Sequence, residues 1–394
     1  MKSELQKTNF GLISKNWKLI PFEEIMLNLQ NGLYKSKEFV GKGTKIVKMG
    51  NQYGHPRIYE QEGMDRYDLS NDELKKHQLE FDDLLFSRRS LIFDGAGECS
   101  IVKEKHIPLV IESSIIRVIL NKDIAVPDFY FYFFQSHLGK QLIRSINQGT
   151  SISGITGSDL KKIQVPLPSI LEQKSIINSF LKIDDLLENI QNQNHILEQI
   201  AQAIFKSWFV DFDGVTEFED SELGKIPQGW SVKKIGDVIE LLYGKSLTKE
   251  NRVHGNIPVY GSSGIVGFHN QSLSTKKGII VGRKGNVGSV YLSSNSFYAI
   301  DTAYYVKTEL SLHYVYRNFQ NQNFINSDSS VPGLSRDQAY SLPILIPKNV
   351  ILEKFENISS KIQIILEKNK NLILTLTKTR DTLLPKLMSG EIRV

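Results

Sequence analysis

Apolar residues recur in steps of four and three along one stretch: Ile176, Phe180, Ile183, Leu187, Ile190, Asn194, Leu197, Ala201, Ile204 and Trp208. Every step lands on an apolar side chain except Asn194. Such a seam predicts a long helix that packs along its length against another helix. Adding 179 to each number gives Phe355, Ser359, Ile362, Leu366, Asn369, Ile373, Leu376, Arg380, Leu383 and Leu387. This second series is weaker but in phase, and it too carries an Asn near its middle. Two similar helices, each following a segment of comparable length, predict an internal duplication.

The segments before the helices follow a strand-and-turn pattern. In the first, residues 46–50 and 83–89 read as strands, the latter with Arg88 and Arg89 at its exit, and residues 115–120 form a β-branched run. The aromatic block 129–134 opens a helix whose rings are read as core. A loop Gly154-Ile155-Thr156-Gly157 and a short strand ending at Pro168 follow. The second segment repeats the scheme. Trp230 answers Trp17 at an offset of 213, and residues 257–262 answer 46–51 at 211. Residues 280–286 answer 85–91 at 195, which sets Arg283 and Lys284 opposite Arg88 and Arg89. Gly333-Leu334-Ser335 answers Gly154-Ile155-Thr156.

These patterns predict an α+β chain with short mixed strands: a first domain over 1–168, a long helix over 169–214, an acidic, Gly/Pro-marked linker over 215–229, a second domain over 230–347, and a second long helix with a tail over 348–394. Pro385 is expected to kink or end that helix. Antiparallel pairing of the helices would set residue n against 563 − n. It places Asn194 against Asn369, Leu187 against Leu376, Ala201 against Ile362 and Trp208 against Phe355. A buried Asn pair costs stability but holds register, since a slip strands both amides. The expected result is two similar domains related by a pseudo-twofold and separated by a rod about 50 Å long. Wide apolar flanks at Ile177, Leu181, Leu186, Ile196 and Ile200 are expected to leave surface for partner helices.

Composition narrows the function classes. The single cysteine, Cys99, excludes intrachain disulfides and fits a reducing cytosol. Residues 1–16 are polar, so no signal peptide is expected, and no run approaches the ~18 apolar residues of a membrane span. A net charge of +5 is compatible with nucleic acid without establishing it. No His/Cys/Asp/Glu cluster has metal-ligand spacing. The glycine series at 261 and 282 match neither phosphate-cradling nor dinucleotide patterns, and no two prolines are adjacent, so an amino-methyltransferase motif is absent.

The recurring chemistry is basic and amide residues at strand exits beside glycine turns, a set suited to base edges and phosphates. In the first domain the candidates are Lys48, Asn51, Gln52, Tyr53, Arg57, Arg88, Arg89 and Thr150. In the second they are Lys245, Tyr260, Ser262, Ser263, Arg283, Lys284, Asn286 and Arg336.

The residues 257–267, 278–288 and 300–306, the centre Lys206-Ser207-Trp208-Phe209-Val210-Asp211-Phe212 with 223–230, and the tail 383–392 resemble the specificity subunit of type I restriction–modification systems. The resemblance covers almost the whole chain. It implies two target-recognition domains, each reading one half of a split duplex DNA sequence. The paired helices would measure the spacer and dock two modification subunits, with or without two restriction subunits. The chain itself would be non-catalytic, prokaryotic and cytoplasmic. S-adenosylmethionine, ATP and Mg²⁺ would belong to the partners, which would methylate adenine and cleave DNA. The alternatives are a scaffold whose twin domains bind protein, and the recognition part of a stand-alone modification enzyme or nuclease.

Overall fold

The computed structural model describes residues 4–90, 95–148, 153–324 and 333–393. The chain forms two units, Met1–Leu187 with Leu374–Val394, and Glu188–Ile373. Each contains one globular domain and a share of each long helix.

In the first unit a five-stranded sheet runs in the order Met26–Asn31, Ile115–Leu120, Leu84–Ser87, Cys99–Val102, Arg57–Ile58. A smaller sheet of Leu109–Ile111, Val40–Val47 and Arg66–Tyr67 accompanies it. The helix Pro127–Gln135 begins with a proline, whose missing N–H costs nothing at a first turn. Its aromatic block is core, as read from the sequence: all of Phe129 to Phe134 are buried. Phe134 meets Phe86 with ring centroids 5.0 Å apart and Phe22 at 5.2 Å.

In the second unit the main sheet runs Ile239–Tyr243, Ala303–Thr308, Gly278–Gly282, Val290–Ser293. The smaller one joins Gly264–His269, Ile257–Gly261 and Tyr298–Ala299. The duplication holds at the level of register. Lys18 pairs with Leu167 in one unit and Ser231 with Ile346 in the other. The Tyr130 hydroxyl donates to Pro166 O at 3.0 Å, and that of Tyr314 to Leu345 O at 2.5 Å. Gly32 and Gly244 occupy matching places, where the N–H groups donate to Ile115 O and Ala303 O, both at 3.0 Å. A Cβ on either would meet a backbone carbonyl oxygen at 2.1 and 2.0 Å, so only glycine fits.

Three sequence expectations change. The offset of 211 for the strand at 257 becomes 213, because Ile46 pairs with Val110 as Val259 pairs with Tyr298. The segment 215–229 is not a plain linker. Phe218–Ser221 and Gly224–Pro227 form a hairpin that matches Leu5–Thr8 and Gly11–Ser14 residue for residue. Pro385 does not end its helix, which continues to Met388. Proline removes only the one bond its own N–H would have given, and its carbonyl still closes the last turn by accepting from Ser389 N–H at 3.0 Å.

The long helices are Ile170–Phe209 and Asn349–Met388, 40 residues each and so about 60 Å long. Every seam residue on both helices is buried or half-buried. In the second unit the Asn369 amide donates to Asn194 Oδ1 at 2.7 Å and to Gln193 Oε1 at 2.8 Å. Trp208 and Phe355 meet with ring centroids 6.2 Å apart. In the first unit Arg380, the charged seam residue, donates to Asp184 at 3.4 Å. Of the flanking apolar residues, Leu186, Ile196 and Ile200 are exposed, whereas Ile177 is buried in the first unit's core and Leu181 packs against it. Among the described residues no helix is long and apolar enough to cross a membrane.

Candidate nucleic-acid interface

The two units build the same device at the strand exit. After Leu84–Ser87, the Arg88 N–H donates to Ser114 O at 2.7 Å, and Arg88 O accepts from Ile155 N–H at 3.0 Å. After Gly278–Gly282, the Arg283 N–H donates to Thr302 O at 2.9 Å, and Arg283 O accepts from Leu334 N–H at 2.8 Å. Arg89 pairs with Gly154, and Lys284 bridges to Gly333. The Gly-containing loop thus latches a basic dipeptide in both units. Its first member is half-buried and its second exposed in each. Among the described residues no carboxylate forms an ion pair with any of the four.

The surroundings differ. In the second unit Tyr243 and Tyr304 are cross-strand partners with ring centroids 5.1 Å apart. Arg283 Cζ lies 5.2 Å from the Tyr243 centroid and 5.8 Å from that of Tyr304; Arg336 Cζ lies 4.6 Å from Tyr243. Burial pushes the Tyr304 phenol up to about 12, and it stays a neutral donor to Leu334 O at 3.0 Å. By register, the first unit has Asn31 and Ile116 in place of the two tyrosines. Gly157, the first residue of Gly157–Lys162, stands where Arg336 opens Arg336–Ser341.

Other expected contacts sit elsewhere. Lys245, Ser263 and Asn286 are exposed, Ser263 at the turn between Ile257–Gly261 and Gly264–His269. Lys48 is tied to Asp65, a bond that raises its pKa. Asn51 caps the turn Met49–Gln52 by accepting from Lys48 N–H at 2.9 Å and donates to Gln61 at 3.2 Å. Tyr53 is half exposed beside a cleft of about 420 Å³ that Glu98 and Lys140 also line. Thr150 lies outside the described residues.

Four assignments are corrected. Gln52 is 1% exposed; both N–H groups of its amide are used, on Ser100 Oγ at 2.7 Å and Leu85 O at 3.3 Å, and its Oε1 accepts from Ser87 Oγ at 3.0 Å, so the side chain is an interior connector. Arg57 is committed to Asp184 and the Tyr132 hydroxyl, both at 2.7 Å. Tyr260 is a core residue against Phe297. Ser262 is buried, with its N–H on Thr302 Oγ1 at 3.3 Å and its carbonyl accepting from Tyr291 OH at 3.4 Å. The sequence reading missed Tyr243 and Tyr304. The signal available was the pair of matched glycines, since Tyr243 immediately precedes Gly244.

Among the described residues no three His, Cys, Asp or Glu side chains gather to hold a metal ion. The sequence pattern described as "Type I restriction modification DNA specificity domain" matches residues 14–201 and 227–375. The MjaIX specificity subunit of Methanocaldococcus jannaschii, a type I restriction enzyme subunit, is 27% identical over 431 aligned residues, covering 100% of this chain and 97% of that protein. The EcoKI specificity subunit of Escherichia coli is 29% identical over 51% of this chain and 44% of its own length. The crystal structure of a type I system S subunit from M. genitalium superimposes with a TM-score of 0.65 at 19% identity over 98% of this chain and 99% of that one.

Proposed function

We propose, because the chain belongs to the type I restriction–modification DNA specificity family, that it is a recognition subunit whose two domains read the two unlike halves of one asymmetric duplex target. The observation that carries this reading is the latched basic pair, built identically at Arg88-Arg89 and Arg283-Lys284 but set among different neighbours. Identical scaffolds position; different neighbours discriminate. The exposed apolar residues of the helices, including Leu186, Ile196, Ile200, Ile364 and Leu374, suit docking of modification subunits, and of restriction subunits where these are present. On this reading the chain is non-catalytic, and S-adenosylmethionine, ATP and Mg²⁺ act on those partners. The setting is the prokaryotic cytoplasm.

The test is methylation mapping. The chain is co-expressed with its modification subunits and the host DNA is sequenced for methylated adenine. A single two-part motif with a fixed gap is expected, and exchanging residues 230–347 for those of a relative should change one half alone. No motif, or a contiguous one, overturns the reading and favours a protein-binding scaffold.

A further inference from the structure

Two guanidinium groups approach one half-exposed tyrosine ring in the second unit, Arg336 at 4.6 Å and Arg283 at 5.2 Å. Among the described residues neither has a carboxylate partner, and Arg283 Nε is buried without any hydrogen-bond partner. Like charges gathered without an anion are unfavourable until an electron-rich ligand arrives. Contact with the ring restrains both guanidinium groups at one place, and a restrained planar fork matches two acceptors in one plane better than a freely rotating charge does. Guanine offers that pair, O6 and N7, on its major-groove edge. A phosphate needs only a point charge, which the exposed Lys245 and Lys284 nearby in the chain already provide.

The first unit cannot copy this arrangement. Asn31 and Ile116 offer no ring, and a Cβ at Gly157 would come within 2.7 Å of Leu29 Cδ2, so an arginine there would have to displace that side chain. Only Arg88 is shared.

We infer that Arg283 and Arg336, held against Tyr243, each read the guanine of a G·C pair in the half-target of the second domain, and that the first half is read without such an arginine couple. This rests on the DNA-recognition reading above. Tyr243 is a positioning residue, acting through the two arginines.

The experiment uses the full chain with its modification subunits and maps methylated sites for the parent and for Arg336→Lys, Arg283→Lys, Tyr243→Phe, Tyr243→Leu and Lys284→Ala. Lysine keeps the charge but loses the fork. Either arginine variant should lower the preference for one G·C position of the second half about ten- to hundred-fold, with the first half unchanged. Tyr243→Phe should keep both preferences and Tyr243→Leu should relax the positions of both arginines. Lys284→Ala should weaken all sequences alike and flatten the salt dependence. An unchanged first half shows that a variant is folded. The inference is overturned by a second half without G·C, by lysine variants with unaltered preference, or by arginine variants that weaken every sequence equally. A parent that yields no two-part motif overturns the recognition reading instead.

Discussion

Asp184 on the first long helix accepts from three donors: Arg57 Nη2 at 2.7 Å, the Tyr132 hydroxyl, and Arg380 Nη1 at 3.4 Å. Its side chain is 9% exposed, against 22% for Arg57 and 32% for Arg380. Asp184→Ala leaves a mostly buried guanidinium without an anion. Breaking a fully buried pair costs about 3–5 kcal/mol, and the residual hydration of both arginines reduces this to about 2–4 kcal/mol. For a unit of this size the melting temperature should fall by roughly 5–15 °C. Urea and thermal unfolding of Asp184→Ala, Arg57→Met and the double variant measure it. The double variant should lose little more than either single one, with a coupling of about 1–3 kcal/mol. Arg57→Met with Asp184→Leu should recover much of the loss, because a buried ion pair holds little net stability over an apolar pair of similar volume. The reasoning fails if Arg57→Met leaves stability unchanged and alters target preference, for then Arg57 reads DNA, as the sequence alone suggested.

Three further outcomes follow from the same geometry. In Asn194→Leu the Asn369 amide keeps Gln193 as acceptor, so the lost bond of about 0.5–1.5 kcal/mol is offset by apolar contact, and unfolding should show no loss beyond about 1 kcal/mol; a fall of several kcal/mol would refute the amide-pair register. Gly244→Ala drives a methyl into Ile300 O and should destabilise by about 1–3 kcal/mol or more, whereas Gly50→Ala, with open space around its Cβ, should stay within about 0.5 kcal/mol; equal effects in denaturation curves would count against the close approach. Burial lowers the pKa of His313; Glu356 is also lowered, since bonds from Ser311 and His313 N–H and the nearby charges outweigh its burial. In both cases the unfolded chain binds more protons. Stability should therefore drop as pH falls below the usual histidine range, and again below the usual carboxylate range. His313→Gln should flatten the first step in a melting series from pH 7 to 5.5, and an unchanged slope would show that another group is responsible.

Much of the architecture was legible because periodicity is a local property. A seam of period three and four demands a helical partner, and the matching Asn residues demand one register, so Asn194 could be set against Asn369 by arithmetic. The doubling of Trp17, of the basic pair and of the glycine loops follows from counting alone. The chemistry at individual positions was less legible. Gln52, Arg57, Tyr260 and Ser262 have the residue types of a DNA surface, yet whether a polar side chain faces a base or an interior partner depends on what the fold brings beside it. The partner of Arg57 is 127 residues away in sequence, and the hydroxyl that Gln52 meets is 48 away.

Tyr243, Arg283 and Arg336 show the same limit from the other side. Nothing local links them. Strand pairing sets Tyr243 beside Tyr304, and the loop bond from Leu334 to Arg283 brings Arg336 to the same ring. The duplication, the long helices and their register are encoded by spacing along the chain and can be counted from it. Which polar residues are used up in the interior and which converge at the strand exit depends on the folded chain, because burial and partner choice are settled by contacts between residues far apart in sequence.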